Sequence, residues 1–71
     1  MESDAKKLAK MHYDLEQIGN RVGSTSNIYT GKAIEVLEFE KKTLQKYSNP
    51  PETQKQFQEI LEAEYNKLKR R

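Results

Sequence analysis

The sequence contains no cysteine and a single histidine, His12. Without cysteine, disulfides, zinc thiolate sites and thiol catalysis are all excluded. A nucleophilic triad would depend on His12 alone. His12 and Glu16, which lies one helical turn away, could supply only two metal ligands, whereas a zinc site needs three or four. We therefore expect a protein that is not an enzyme and that has no metal, no cofactor and no small-molecule substrate.

Long hydrophobic runs are also missing, since no four consecutive residues are apolar. This excludes a signal peptide and a membrane span, so we expect a cytoplasmic protein without a membrane partner. The bulky apolar side chains are six Leu, four Ile, two Val, two Met and two Phe in 71 residues. They suffice for one domain near the lower size limit for folding without disulfides. We expect a single helical domain over residues 1–71, with a short basic tail at 67–71.

The body of the chain has no excess of positive charge. Thirteen Lys and Arg residues stand against eleven Asp and Glu residues, and four of the positive charges lie within 67–71. In the remainder, opposite charges recur four residues apart, as in Lys10–Asp14 and Glu38–Lys42. This pattern is typical of solvated helix faces, and an electrostatic binding surface is the alternative.

Apolar residues recur at spacings of three and four along the chain, which predicts helices. Turn-forming residues interrupt the pattern at Gly23 and at the Pro50-Pro51 pair, so we expect helices at about 3–22, 27–48 and 50–69. Short connections between helices of this length favour an all-α, antiparallel up-down-up three-helix bundle. The side chains that we expect to be most buried are Leu15, Ile18, Leu37, Leu44, Leu61 and Leu68.

Residues that favour helix ends flank each predicted helix. Gly23 stands where the first helix needs a residue with positive φ after its last turn. Polar side chains that can cap a helix N-terminus precede all three helices. They are Ser3 for the first helix, Ser24, Ser26 or Thr30 for the second, and Asn49 with Glu52 as a capping box for the third.

The second helix carries more apolar residues than one buried face requires. A first stripe of Ala33, Leu37 and Leu44 is expected to face the core. A second stripe lies about 80° further round the helix. We expect it to dock another protein or a second copy of the chain, with Phe39 as the energetic hot spot, so Phe39 and Tyr47 should be exposed in the monomer. The second stripe consists of Val36, Phe39, Thr43 and Tyr47. The alternative is that this stripe covers the edge of the core.

Residues 15–29 resemble a helix-turn-helix segment. That motif requires a small residue, a turn glycine, hydroxyl residues and a buried aliphatic residue. In this order the sequence has Gly19, Gly23, Ser24, Ser26 and Ile28. The resemblance implies nucleic-acid binding through residues 15–33, and the contacting residues would be Arg21, Ser24, Ser26, Asn27 and Lys32. The alternative is a capped loop that joins two bundle helices.

Together these features predict a small non-enzymatic protein-interaction module, a regulator, inhibitor or adaptor that docks through a helical face. Its expected partner is another protein or itself. The alternative function is that of a small helix-turn-helix-like DNA-binding protein that uses residues 15–33.

Overall fold

The computed structural model describes residues 1–70, which form three α-helices and contain no strand. The helices are α1 (Glu2–Val22), α2 (Asn27–Lys46) and α3 (Pro51–Lys69). The predicted all-α three-helix bundle is confirmed, with helix ends within two residues of those expected. Part of the predicted basic tail belongs to the last turn of α3, and Arg71 lies outside the described residues.

The first connection is built as the sequence predicts. Gly23 has a φ of 86°, and its backbone N–H donates to the carbonyl of Gly19, which closes α1. Ser26 caps α2, because its side chain accepts a hydrogen bond from the backbone N–H of Ile28. A glycine at a positive φ and a serine cap together stop one helix and start the next within four residues.

The other two predicted caps are wrong. α1 begins at Glu2, so Ser3 lies inside the helix and the preceding residue, Met1, has no capping side chain. α3 begins at Pro51, and its N-cap position is taken by Pro50 in an extended conformation. Asn49 is therefore one residue too far from the helix to cap it. Proline suits the first helical position because the N–H that it lacks would have no helical partner there.

α1 is the central helix and packs against both of the others, whereas α2 and α3 make little contact with each other. Along α1 and α2, Asp4 meets Tyr47, and Gly19 meets Tyr29. These two helices are thus antiparallel neighbours over their whole length. α3 runs parallel to α1.

The three helices form an open, bent layer. By the positions of their backbones, three helices with axes about 9 Å apart have a cross-section of about 23 × 5 Å in a flat layer, and of about 13 Å in each direction when packed as a triangle. The molecule measures 39 × 26 × 15 Å. Its radius of gyration is 12.9 Å, against about 11 Å for a compact chain of this length. The cross-section of 26 × 15 Å has the width of an open layer and the depth of a triangle, so α2 and α3 lie on different sides of α1, meet at one end and diverge toward the other.

The core lies at one end of this layer, next to the connection between α2 and α3. The largest fully buried side chains are Leu8, Val36 and Phe57. The Tyr47 ring stacks on Phe57 with centroids 4.9 Å apart. No residue between 10 and 35 is buried. One end of the bundle is consequently closed and well packed, and the other end is open.

The predicted core residues are wrong as a set, because all six retain exposure. Leu15, Leu44 and Leu61 are partly buried and pack against the edge of the core. Leu37 is 62% exposed. The prediction assumed that α2 also packs against α3. Because α2 and α3 make little contact, α2 buries only the face that it turns toward α1.

That face is the second stripe, for which we expected exposure. Val36 and Thr43 are buried, and Tyr47 is only 9% exposed. The Thr43 hydroxyl donates to the backbone carbonyl of Phe39 in the preceding turn, so its burial leaves no polar group without a partner. Phe39 is half-buried beneath the ammonium group of Lys7. The expectation that Tyr47 is exposed is therefore wrong, and this stripe is part of the core.

A polar cluster ties the N-terminus of α1 to the C-terminus of α2. The Tyr47 hydroxyl donates to Asp4, and the Lys46 ammonium lies 3.2 Å from the same carboxylate oxygen. The hydrogen bond from Tyr47, followed by that from Lys46, lowers the pKa of Asp4. The bond to Asp4 raises the pKa of Tyr47. Ionisation of Asp4 thus stabilises the folded state.

This cluster predicts a loss of stability in acid. Because the pKa of Asp4 is lower in the folded than in the unfolded protein, its contribution is complete above about pH 4 to 5 and disappears as the pH falls through the lowered pKa. Asp4→Asn is expected to lower the melting temperature at pH 6 and to bring it close to that of the wild type at pH 2. Thermal melts across this range measure the effect, and Glu2→Gln, which changes an exposed carboxylate in the same turn, is the control. Parallel pH profiles of wild type and Asp4→Asn would contradict the assignment.

Candidate functional site

The open end of the layer carries a groove of about 470 Å³ along the uncovered face of α1. Its floor is formed by α1, one wall by Tyr29 at the start of α2, and the other wall by α3. The lining residues are Ala9, His12, Leu15, Glu16, Tyr29, Gln58, Leu61, Glu62 and Tyr65. Most of the exposed surface of the lining is apolar.

The local sequence explains which side chains form the two walls of the groove. On α3, Gln58, Leu61, Glu62 and Tyr65 have spacings of three and four, which place them on one side of a helix. On the α2 side, the Tyr29 ring lies directly on α1 because Gly19 has no side chain there. A Cβ atom at Gly19 would be 2.8 Å from the Cε2 atom of that ring.

Carboxylates outnumber ammonium groups around the groove. Glu16 accepts a hydrogen bond from the Tyr65 hydroxyl, and this bond raises the pKa of Tyr65. His12 Nε2 lies 3.2 Å from a carboxylate oxygen of Glu40. The lining contains a second carboxylate, Glu62, and no lysine or arginine, and the nearby cation is the Lys69 ammonium, 5.1 Å from the centroid of the Tyr65 ring. The arrangement suits an apolar surface that carries positive charge at its margins.

An exposed apolar flank of α2 lies beside this groove. Glu40 reaches His12 on the groove side of α2, whereas Phe39 meets Lys7 on the opposite side. Successive helical residues are about 100° apart, so Leu37 lies about 60° beyond Glu40 on the groove side.

Two aliphatic side chains and one lysine form this flank. Leu37 is 62% and Ile34 is 53% exposed. Lys41 follows Leu37 by one helical turn and is also exposed. We refer to Ile34, Leu37 and Lys41 as the α2 ridge. Exposed aliphatic side chains next to an apolar groove form the kind of patch that marks interaction sites.

The residues of the helix-turn-helix hypothesis lie near the turn between α1 and α2. Arg21, Ser24 and Asn27 are exposed. Ser26 caps α2, and Lys32 Nζ lies 3.5 Å from a carboxylate oxygen of Glu35. The two helices of a helix-turn-helix cross at about 90–120° and so meet over a short stretch. Here α1 and α2 are antiparallel neighbours along their whole length, so the geometry that this hypothesis requires is absent. The segment is a capped loop between bundle helices.

Sequence reasoning did not assign a binding role to Tyr29 or Tyr65, although part of the signal was present. Tyr29 precedes Val36 and Thr43 at intervals of seven, so it belongs to the same side of α2 as these buried residues. The bond between Tyr65 and Glu16 joins two helices and has no counterpart in the local sequence.

Neither a metal site nor a membrane span is found within residues 1–70. No group of three or more His, Asp or Glu side chains is arranged there to hold a metal ion. None of the helices combines the length and the apolar character needed to cross a membrane. No family model, curated protein or solved structure matches the chain.

Proposed function

We propose that this chain is a non-enzymatic protein-interaction module, a small regulator, inhibitor or adaptor, and that it docks one helix of a partner in the groove on α1. The observation that carries the proposal is the incomplete packing of the bundle. The molecule exposes 5300 Å². A compact monomer of 8.3 kDa exposes about 4600 Å². The chain therefore exposes about 700 Å² more surface than a compact chain of the same mass, and its open end has an apolar groove.

The form of the groove favours a helix as its occupant. It follows α1 between two other helices, so a helix laid along it would occupy the fourth position of a bundle. Helices bind such grooves with apolar residues at spacings of three and four. A small molecule is a poorer fit, because small-molecule sites enclose most of the ligand surface and this groove is open along one side.

The charge of the groove restricts the chemistry of the partner helix. Glu16 and Glu62 are among its lining residues, which include no lysine or arginine. A partner with lysine or arginine beside its apolar stripe would place opposite charges together, which steers association and disfavours acidic partners. The proposed partner segment is therefore a basic amphipathic helix.

Selection from a library of amphipathic helical peptides tests this proposal. We expect the selected peptides to be basic and to bind about tenfold more weakly to Leu61→Lys, because that change places a charge in the apolar wall. Gly19→Ala is also expected to weaken binding, since the new Cβ displaces the Tyr29 ring.

Gly31→Ala is the matched control for Gly19→Ala. It is the same substitution inside a helix, but the added Cβ has no atom within 4 Å. It is expected to bind peptides as the wild type does and to be more stable by about 0.5–1 kcal/mol. Peptides that bind the wild type, Leu61→Lys and Gly19→Ala with equal affinity would show that the groove is not the docking site.

A further inference from the structure

The α2 ridge and the groove lie side by side on the same face of the layer. We propose that the helix that fills the groove is α2 of a second copy of this chain, so that two copies exchange ridges and form a symmetric dimer. This inference rests on the proposed docking function of the groove. In such a dimer, Leu37 of each copy enters the groove of the other, and Ile34, which lies about 60° further toward the outer edge of α2, packs beside it at the groove wall.

The two surfaces are suited to two-fold symmetry. In an isologous interface the same patch is used by both copies, so a ridge and a groove that lie next to each other satisfy each other twice. Leu37 projects toward the groove side of its own α2 and is 62% exposed. The aliphatic residues available in the groove are Leu15 and Leu61. Formation of one symmetric dimer thus covers both the α2 ridge and the groove of each copy.

The available area agrees with a stable dimer. A standard protein interface removes about 800 Å² from each partner. The surface in excess of that of a compact monomer is about 700 Å². The face of the layer measures 39 by 26 Å, or about 1000 Å² in projection, so it accommodates a contact of this size. A dimer would bring the exposed area per chain close to the value for a compact protein.

One pair of charges on the two surfaces is complementary. Of the carboxylates beside the ridge, Glu40 is already paired with His12 of its own chain, and Glu38 lies on the side of the ridge away from the groove. The ridge ends in Lys41, whereas the groove has Glu62 on its α3 wall and Glu16, which is already bonded to Tyr65. Lys41 of one copy is therefore assigned to Glu62 of the other. Opposite charges at the margin of an apolar contact fix its register and oppose other alignments.

Sedimentation equilibrium of the purified chain between about 1 and 200 µM tests the dimer, a range that covers ordinary homodimer affinities. The wild type is expected to be dimeric in the upper part of this range. Leu37→Lys is expected to be a monomer with unchanged helical content. Ile28→Lys is the control, because Ile28 is 65% exposed but lies on the opposite flank of α2, and this variant is expected to dimerise normally. A monomeric wild type, or an unaffected Leu37→Lys dimer, would overturn the proposal.

Charge reversal tests the register. Lys41→Glu and Glu62→Lys are each expected to weaken the dimer at least fivefold, because the two-fold axis repeats the pair and each reversal turns two ion pairs at the edge of the interface into like-charge contacts. Combining both reversals in one chain, or mixing the two single variants, restores an opposite-charge pair and is expected to restore dimerisation. Additive weakening in the double variant would contradict the assigned pair and, with it, this arrangement of the two copies.

The experiments distinguish a failure of the dimer proposal from a failure of the docking proposal. If the wild type is monomeric but basic helical peptides bind it in a manner that depends on Leu61, the second copy is excluded and the groove remains a docking site for another protein. If neither peptides nor a second copy respond to Leu61→Lys, both proposals are wrong.

Discussion

Replacing Val36 with lysine is expected to unfold the protein, whereas the same replacement at its neighbour Leu37 is expected to leave the helices intact. Val36 is 1% and Leu37 is 62% exposed. A lysine at position 36 would place an unpaired charge in the core, which costs several kcal/mol. A domain of this length has a total stability of about 4–10 kcal/mol. A lysine at position 37 reaches water directly.

This pair of variants determines which side of α2 faces α1. Far-UV circular dichroism and thermal melts should show a large loss of helix for Val36→Lys and a cooperative transition for Leu37→Lys. The melts belong at low protein concentration, where association does not contribute. If Leu37→Lys unfolds and Val36→Lys does not, α2 is turned by about 100° and the first stripe is the buried one after all.

Phe57→Ala is expected to cost about 3–5 kcal/mol, the range for removing a fully buried aromatic side chain. Phe57 is 0% exposed and stacks on Tyr47, where α3 meets the end of α2. This loss amounts to most of the stability of so small a domain, so the variant should be largely unfolded at 37 °C.

Leu61→Ala is the comparison, because Leu61 lies one turn further along α3 in the wall of the open groove. It is only partly buried, so its truncation removes less apolar area from the folded state and is expected to cost about 1–2 kcal/mol. Urea denaturation gives both values. Equal losses for the two variants would mean that the core continues into the groove, contrary to the structure.

The candidate site was only partly predictable. The sequence correctly indicated that α2 has two apolar sides, of which one is buried and the other is exposed. It assigned the two sides the wrong way round, because leucine at positions 37 and 44 is more hydrophobic than threonine at 43. The contacts that bury the Val36 side of α2 join its C-terminal end to the other two helices. Tyr47 bonds to Asp4 of α1 and stacks on Phe57 of α3.

The sequence by itself determined the three helices and their ends, because the signals for these are local. Apolar spacings of three and four, Gly23, Ser26 and the proline pair act within one or two helical turns. Only the tertiary structure decided that α2 and α3 both pack on α1 and make little contact with each other, and hence which residues are buried and where the groove is. Helical periodicity defines which residues share a side of each helix, but an open layer and a closed triangle bury different sides. The choice depends on side-chain contacts between residues more than 40 positions apart, such as Tyr65 with Glu16.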